Sequence, residues 1–72
     1  MSQNTIMFSE RLKELRIEKG LTQQQLADIL KVDRTTVMKW ENNERETNFS
    51  MLKQMAKFFG VSCDYLLGNT DY

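Results

Sequence analysis

LTQQQLADILKVDRTTVMKWEN, residues 21–42, is the stretch on which the fold turns. Thr22 is followed three residues later by Gln25, the spacing of a capping box, and Leu21 and Leu26 stand where a hydrophobic staple closes, so a helix begins at Gln23. Leu26, Ala27 and Leu30 give it a buried face. Only Lys31 and Val32 then separate it from Asp33, the next N-cap, which makes the intervening turn very tight. Val32 and Val37 repeat the staple around Asp33, and Val37 with Trp40 forms the apolar edge of a helix running to about Asn42. Two short helices joined in this way meet at a steep angle, so that the second protrudes while the first braces it.

The same punctuation extends in both directions. Upstream, Phe8, Leu12 and Leu15 recur at helical spacing with Glu10, Arg11, Lys13 and Glu14 between them, which predicts an amphipathic helix ending at Gly20. Downstream, the polar segment from Asn43 to Thr47 leads to Asn48, which caps a helix with the stripe Leu52, Met55, Ala56 and Phe59 and a stop at Gly60. Val61, Ser62 and Leu66 repeat staple and cap for a short last helix that includes Tyr65 and Leu67 and stops at Gly68. There is no proline and no alternating apolar and polar run, so the expected class is all-α with five helices. No repeat, low-complexity tract or linker interrupts it. The expectation is one domain over residues 8–68, with a flexible N-terminal extension at 1–7 and a frayed C-terminus at 69–72.

Composition narrows the function classes. At 72 residues the chain has room for one core and buries only ~60% of its unfolded surface. Its 40% hydrophobic and 28% charged residues are those of a globular protein. A single cysteine, Cys63, forms no internal disulfide and reads as an inert helix-start residue. The first apolar stretch is too short for a signal peptide or a membrane span, so the expected location is cytoplasmic, without a membrane partner. With no histidine and one cysteine, neither a Cys/His metal cluster nor a nucleophile–base pair can be assembled. No catalytic residue, no metal and no cofactor are expected, and the chain is not read as an enzyme. Zero net charge and a pI near 6.2 mean that a nucleic-acid site would have to be a local patch.

Opposite Val37 and Trp40, the third helix carries Thr35, Met38, Lys39 and Asn42 at i, i+3, i+4 and i+7, on one face. Side chains of this kind reach base edges: lysine favours guanine acceptors and the threonine methyl meets that of thymine. Arg34, at the helix start, is placed to join them. Spacing alone equally allows an ordinary solvated face with one positive charge. Trp40 belongs to the apolar side by its spacing from Val37, which assigns it to the core rather than to stacking on a base.

Leu21–Ala27 (LTQQQLA) followed by Val37–Asn42 (VMKWEN) resembles the signature of the phage-repressor and Cro-like, XRE-type helix-turn-helix family. Phe59-Gly60-Val61-Ser62 and Asp64-Tyr65-Leu66-Leu67-Gly68 are similar to that family's fourth and fifth helices, so the likeness spans about residues 8–68. It implies a lambda-repressor-like domain whose second and third helices form the helix-turn-helix. It implies a transcriptional regulator, in the first instance a repressor, binding a palindromic double-stranded DNA operator as a homodimer; no small-molecule ligand is evident from the sequence. The implied base contacts are Arg34, Thr35, Thr36 and Lys39, with the weight on Thr35 and Lys39 because Thr36 lies nearer Trp40 on the helical wheel. The implied phosphate contacts are Gln23, Asn42, Asn43 and Arg45. Arg16 and Glu41 match an ion pair between the first and third helices that fixes the orientation of the reading helix.

The chain departs from the family's pattern in its turns. Lys31 stands where a glycine is usual, at roughly 1–2 kcal/mol of backbone strain, and Asn43 replaces a second frequent glycine. Glu44 and Glu46 flank Arg45 in the loop implied to meet phosphates, which points to binding of modest affinity or strong salt sensitivity. The neutral charge and this acidic loop keep a second reading open, a protein-interaction module of the antitoxin or antirepressor kind on the same fold.

Overall fold

The computed structural model describes residues 8–70 and contains, among them, five helices and no strand: α1 (Phe8–Glu18), α2 (Gln23–Leu30), α3 (Arg34–Glu41), α4 (Phe49–Phe59) and α5 (Cys63–Leu66). The extension expected at residues 1–7, and residues 71–72 of the expected tail, lie outside the described residues.

Side chains start three of these helices. Thr22 Oγ1 accepts from the Gln25 backbone N–H at 3.0 Å while Gln25 Oε1 accepts from the Thr22 N–H at 2.8 Å, so both halves of the capping box are formed. Asn48 Oδ1 accepts from the Met51 N–H at 2.7 Å, and Ser62 Oγ from the Tyr65 N–H at 3.0 Å. Asp33 occupies the N-cap position of α3, but its carboxylate takes no capping bond. The N–H it would accept from, that of Thr36, already donates to the Asp33 carbonyl at 2.9 Å.

All five helices end in one way. The N–H of the residue after the reversal reaches back to a carbonyl five positions earlier: Leu21 to Arg16 at 3.1 Å, Val32 to Ala27 at 2.9 Å, Glu44 to Lys39 at 2.8 Å, Val61 to Ala56 at 3.0 Å and Asn69 to Asp64 at 2.9 Å. The residue at the reversal is glycine in three cases; the other two are Lys31 at φ 61° and Asn43 at φ 60°. Asparagine tolerates the left-handed region, whereas lysine there costs about 1–2 kcal/mol. These reversals set the boundaries that periodicity placed slightly long. The first helix ends at Glu18 rather than Gly20, the third at Glu41 rather than Asn42, and Leu67 falls in the exposed turn after α5.

Leu12, Leu15, Leu26, Leu30, Leu52 and Phe59 meet in one core together with the smaller apolar residues of the same faces. Val37 is 0% and Trp40 4% exposed, so α3 is anchored from behind. Its neighbours are α2 and α1; α4 packs on α5 and α2, and α5 returns to α1. One residue on a face read as polar is buried. Arg11, 5% exposed, lays its guanidinium 3.9 Å from the centre of the Tyr65 ring and ties α1 to α5.

Candidate nucleic-acid interface

The site is organised around a buried polar junction. Arg16, near the end of α1, donates from Nε to Glu41 Oε2 at 2.6 Å and from Nη2 to Glu41 Oε1 at 3.0 Å, a two-point grip on the last residue of α3. Its Nη1 donates to the Leu21 carbonyl at 2.7 Å, just before α2. The Glu41 side chain is 2% exposed and that of Arg16 12%, so water solvates neither charge well. The hydrogen bond to Glu41 holds the Arg16 guanidinium above its ordinary pKa, against the opposing effect of partial burial. The orientation of α3 is thus tied to α1 and to the start of α2 by directional bonds as well as by its apolar edge.

On the opposite side of α3, Arg34, Thr35 and Lys39 are exposed, and Met38 is half-buried. Asn42, Asn43 and Arg45 follow, also exposed, around the left-handed turn at Asn43. Thr36 is set apart from Arg34, Thr35 and Lys39. It is half-buried and lines a cleft of about 200 Å³ with Val32, Trp40, Arg45, Asn48 and Met51, because its place on the helix turns it towards Trp40 and the loop before α4. Over residues 33–46 the exposed cations Arg34, Lys39 and Arg45 are offset by the exposed acids Asp33, Glu44 and Glu46, a local balance that matches the neutral total.

Gln23 is only half-buried, and its amide Nε2 donates to Glu41 Oε1 at 3.1 Å. The three consecutive glutamines at 23–25 therefore have three different partners: Gln23 a tertiary one, Gln24 the Asp28 carboxylate one turn along at 2.9 Å, and Gln25 the capping box. Sequence patterning found the third of these and missed the first, because Gln23 and Glu41 are 18 residues apart. Among the described residues, no group of histidine, cysteine, aspartate or glutamate side chains is arranged to hold a metal ion, and no helix is long and apolar enough to cross a membrane.

An α3 packed on α2 and α1 by one side, exposed on the other and anchored through Glu41, is the arrangement of a helix-turn-helix, and the helix-turn-helix family model matches residues 12–66. The chain belongs to that family, in its phage-repressor-like branch. Among curated relatives, the chain is 45% identical to the HTH-type transcriptional activator BcrR of Enterococcus faecalis over 89% of its own length and 31% of BcrR. It is 41% identical to the prophage-derived HTH-type transcriptional regulator YonR of Bacillus subtilis, over 89% of this chain and 59% of YonR. It therefore spans from about a third to three-fifths of the length of these relatives. Among solved structures it is similar to the P22 c2 repressor in complex with a synthetic operator, with a TM-score of 0.84 and 29% identity over 92% of this chain and all of that one. The lambda-repressor-like architecture expected from the sequence is thereby established.

Proposed function

We propose that this helix-turn-helix domain is a sequence-specific double-stranded DNA-binding module of a transcriptional regulator. It inserts α3 in a major groove and acts as a homodimer on a palindromic operator. The observation that carries this reading is the division of α3 into two sides. Val37 and Trp40 are buried, while Arg34, Thr35 and Lys39 remain exposed with no fold-stabilising partner among the described residues to explain them. Support comes from the family, whose relatives are named transcriptional regulators, and from the similar P22 c2 repressor, whose structure was solved on an operator.

In this reading Thr35 and Lys39 read bases, Arg34 joins them from the helix start, and Thr36 plays a lesser part because it faces the cleft beside Trp40. Gln23, Asn42, Asn43 and Arg45 grip the sugar-phosphate backbone on either side. One eight-residue helix reads few base pairs, so specificity requires two copies, with half-sites ~34 Å apart or a multiple of that spacing. The proposed mode is repression from an operator that overlaps a promoter. A reporter gene behind that operator distinguishes it from activation, the mode in the name of BcrR.

The test is selection of bound duplexes from random DNA, followed by a salt titration on the selected sequence. A protein neutralising ~6–10 phosphates loses ~10³–10⁵ in affinity between about 50 and 200 mM salt. Failure to enrich any sequence, with no measurable affinity even at low salt, would transfer the case to the protein-interaction reading that the exposed Glu44 and Glu46 favour.

A further inference from the structure

The Gln23–Glu41 bond crosses from the first turn of α2 to the last residue of α3, and it joins a residue proposed to hold phosphate to one buried in the interhelix junction. A primary amide has two donors at one end and an acceptor at the other, so its usefulness to an anion depends on which end faces outwards. A carboxylate only accepts. Turned end for end, the Gln23 amide would set its carbonyl oxygen against Glu41 Oε1, replacing a 3.1 Å hydrogen bond by a contact between two acceptors.

Glu41 is itself immobilised. Arg16 binds both of its oxygens, at 2.6 and 3.0 Å, and Arg16 is fixed in turn by the Leu21 carbonyl at 2.7 Å. The same guanidinium neutralises the carboxylate, so an approaching phosphate does not meet a bare negative charge behind the amide. One Nε2 proton of Gln23 is used on Glu41, and the second has no partner among the described residues. Gln23 is half-buried, so part of its side chain meets solvent.

From this geometry we propose that Glu41 is a positioning residue for DNA: it fixes the Gln23 amide so that the remaining N–H, and not the carbonyl, is presented to a backbone phosphate. Glu41 touches no DNA in this scheme. It couples the backbone grip at the start of α2 to the seating of the reading helix, so that both form or loosen together. This inference rests on the DNA-binding reading above and adds the device that orients one of its contacts.

The experiment is a double-mutant cycle on the 72-residue chain with the duplex selected from random DNA, combined with side-chain amide NMR of nitrogen-15-labelled protein. In the parent, Gln23→Ala is expected to weaken binding about tenfold, the worth of one hydrogen bond to a charged group. In the Glu41→Gln background, which keeps the shape but not the acceptor-only oxygens, the same Gln23→Ala change is expected to weaken binding less than about threefold. The NMR arm needs no variant to fold. In the free parent, the Gln23 amide protons should be shifted and protected relative to those of the exposed Gln54, and the second proton should move when the duplex is added.

An undiminished tenfold effect in a folded Glu41→Gln protein overturns the positioning role. So does a Gln23 resonance indistinguishable from that of Gln54. A parent that binds no duplex at all overturns the DNA-binding reading along with it, and these two failures are distinguishable because only the second abolishes binding by the unaltered chain.

Discussion

Replacing Glu41 by alanine is the sharpest test of how α3 is held. In the parent, Arg16 donates twice to Glu41 and once to the Leu21 carbonyl, with its side chain 12% exposed. In the variant only the carbonyl remains, and a guanidinium sits at the junction of three helices without a counter-charge. Removing one partner of a buried pair costs ~3–5 kcal/mol, mostly as the penalty on the charge left behind. The partial exposure of Arg16 lets water relieve some of that, which favours the lower end, about 3 kcal/mol. A domain of 72 residues holds ~4–11 kcal/mol in total, so this single change removes a large part of it. For a domain of this size, ~3 kcal/mol corresponds to a fall in melting temperature of at least ~12 °C. Far-ultraviolet circular dichroism during heating measures it directly. The companion variant, Arg16→Met with Glu41→Leu, removes both charges and is expected to recover most of the loss, since an apolar pair in such a position is commonly neutral or better. Melting of Glu41→Ala within ~4 °C of the parent, or a double variant no more stable than the single one, would refute the argument that an orphaned charge is the dominant cost.

Other changes probe separate parts of the argument. Lys31→Gly removes a side chain from a left-handed position and should raise stability by about 0.5–1 kcal/mol once the extra freedom of unfolded glycine is subtracted, read as a higher urea midpoint. Thr22→Ala deletes one half of a formed capping box and should cost ~1 kcal/mol in the same assay. Trp40→Ala opens the apolar side of α3 and should cost ~3–5 kcal/mol; a loss below ~1 kcal/mol would mean that Trp40 is not the anchor described. Lys39→Ala should leave the melting temperature nearly unchanged but cost ~1–3 kcal/mol of binding to the selected duplex and relax base preference. Equal affinity of that variant for selected and random duplexes supports base reading by Lys39, and unchanged discrimination removes it from the set.

By itself the sequence determined the helices, their starting caps and the core. Thr22 with Gln25, Asn48 with Met51 and Ser62 with Tyr65 are pairs three residues apart, and the apolar stripes repeat every three or four, so each is visible in a short window. The left-handed turn at Lys31 was implied only by the resemblance, since the family's usual glycine is missing there, and it was the structure that placed Lys31 at φ 61°. Asp33 shows the limit of the same local logic, since its position is that of a cap but its own carbonyl satisfies the N–H its side chain would have taken. The helical wheel also turns Thr36 towards Trp40, where it lines the cleft; only the tertiary structure decided what meets across the fold, the burial of Arg11 over Tyr65 and the engagement of Gln23 by Glu41. The physical reason is distance along the chain. A bond spanning 18 or 25 residues depends on the angles at which helices cross, and those angles are set by the joint close-packing of all the core side chains, which no local window contains.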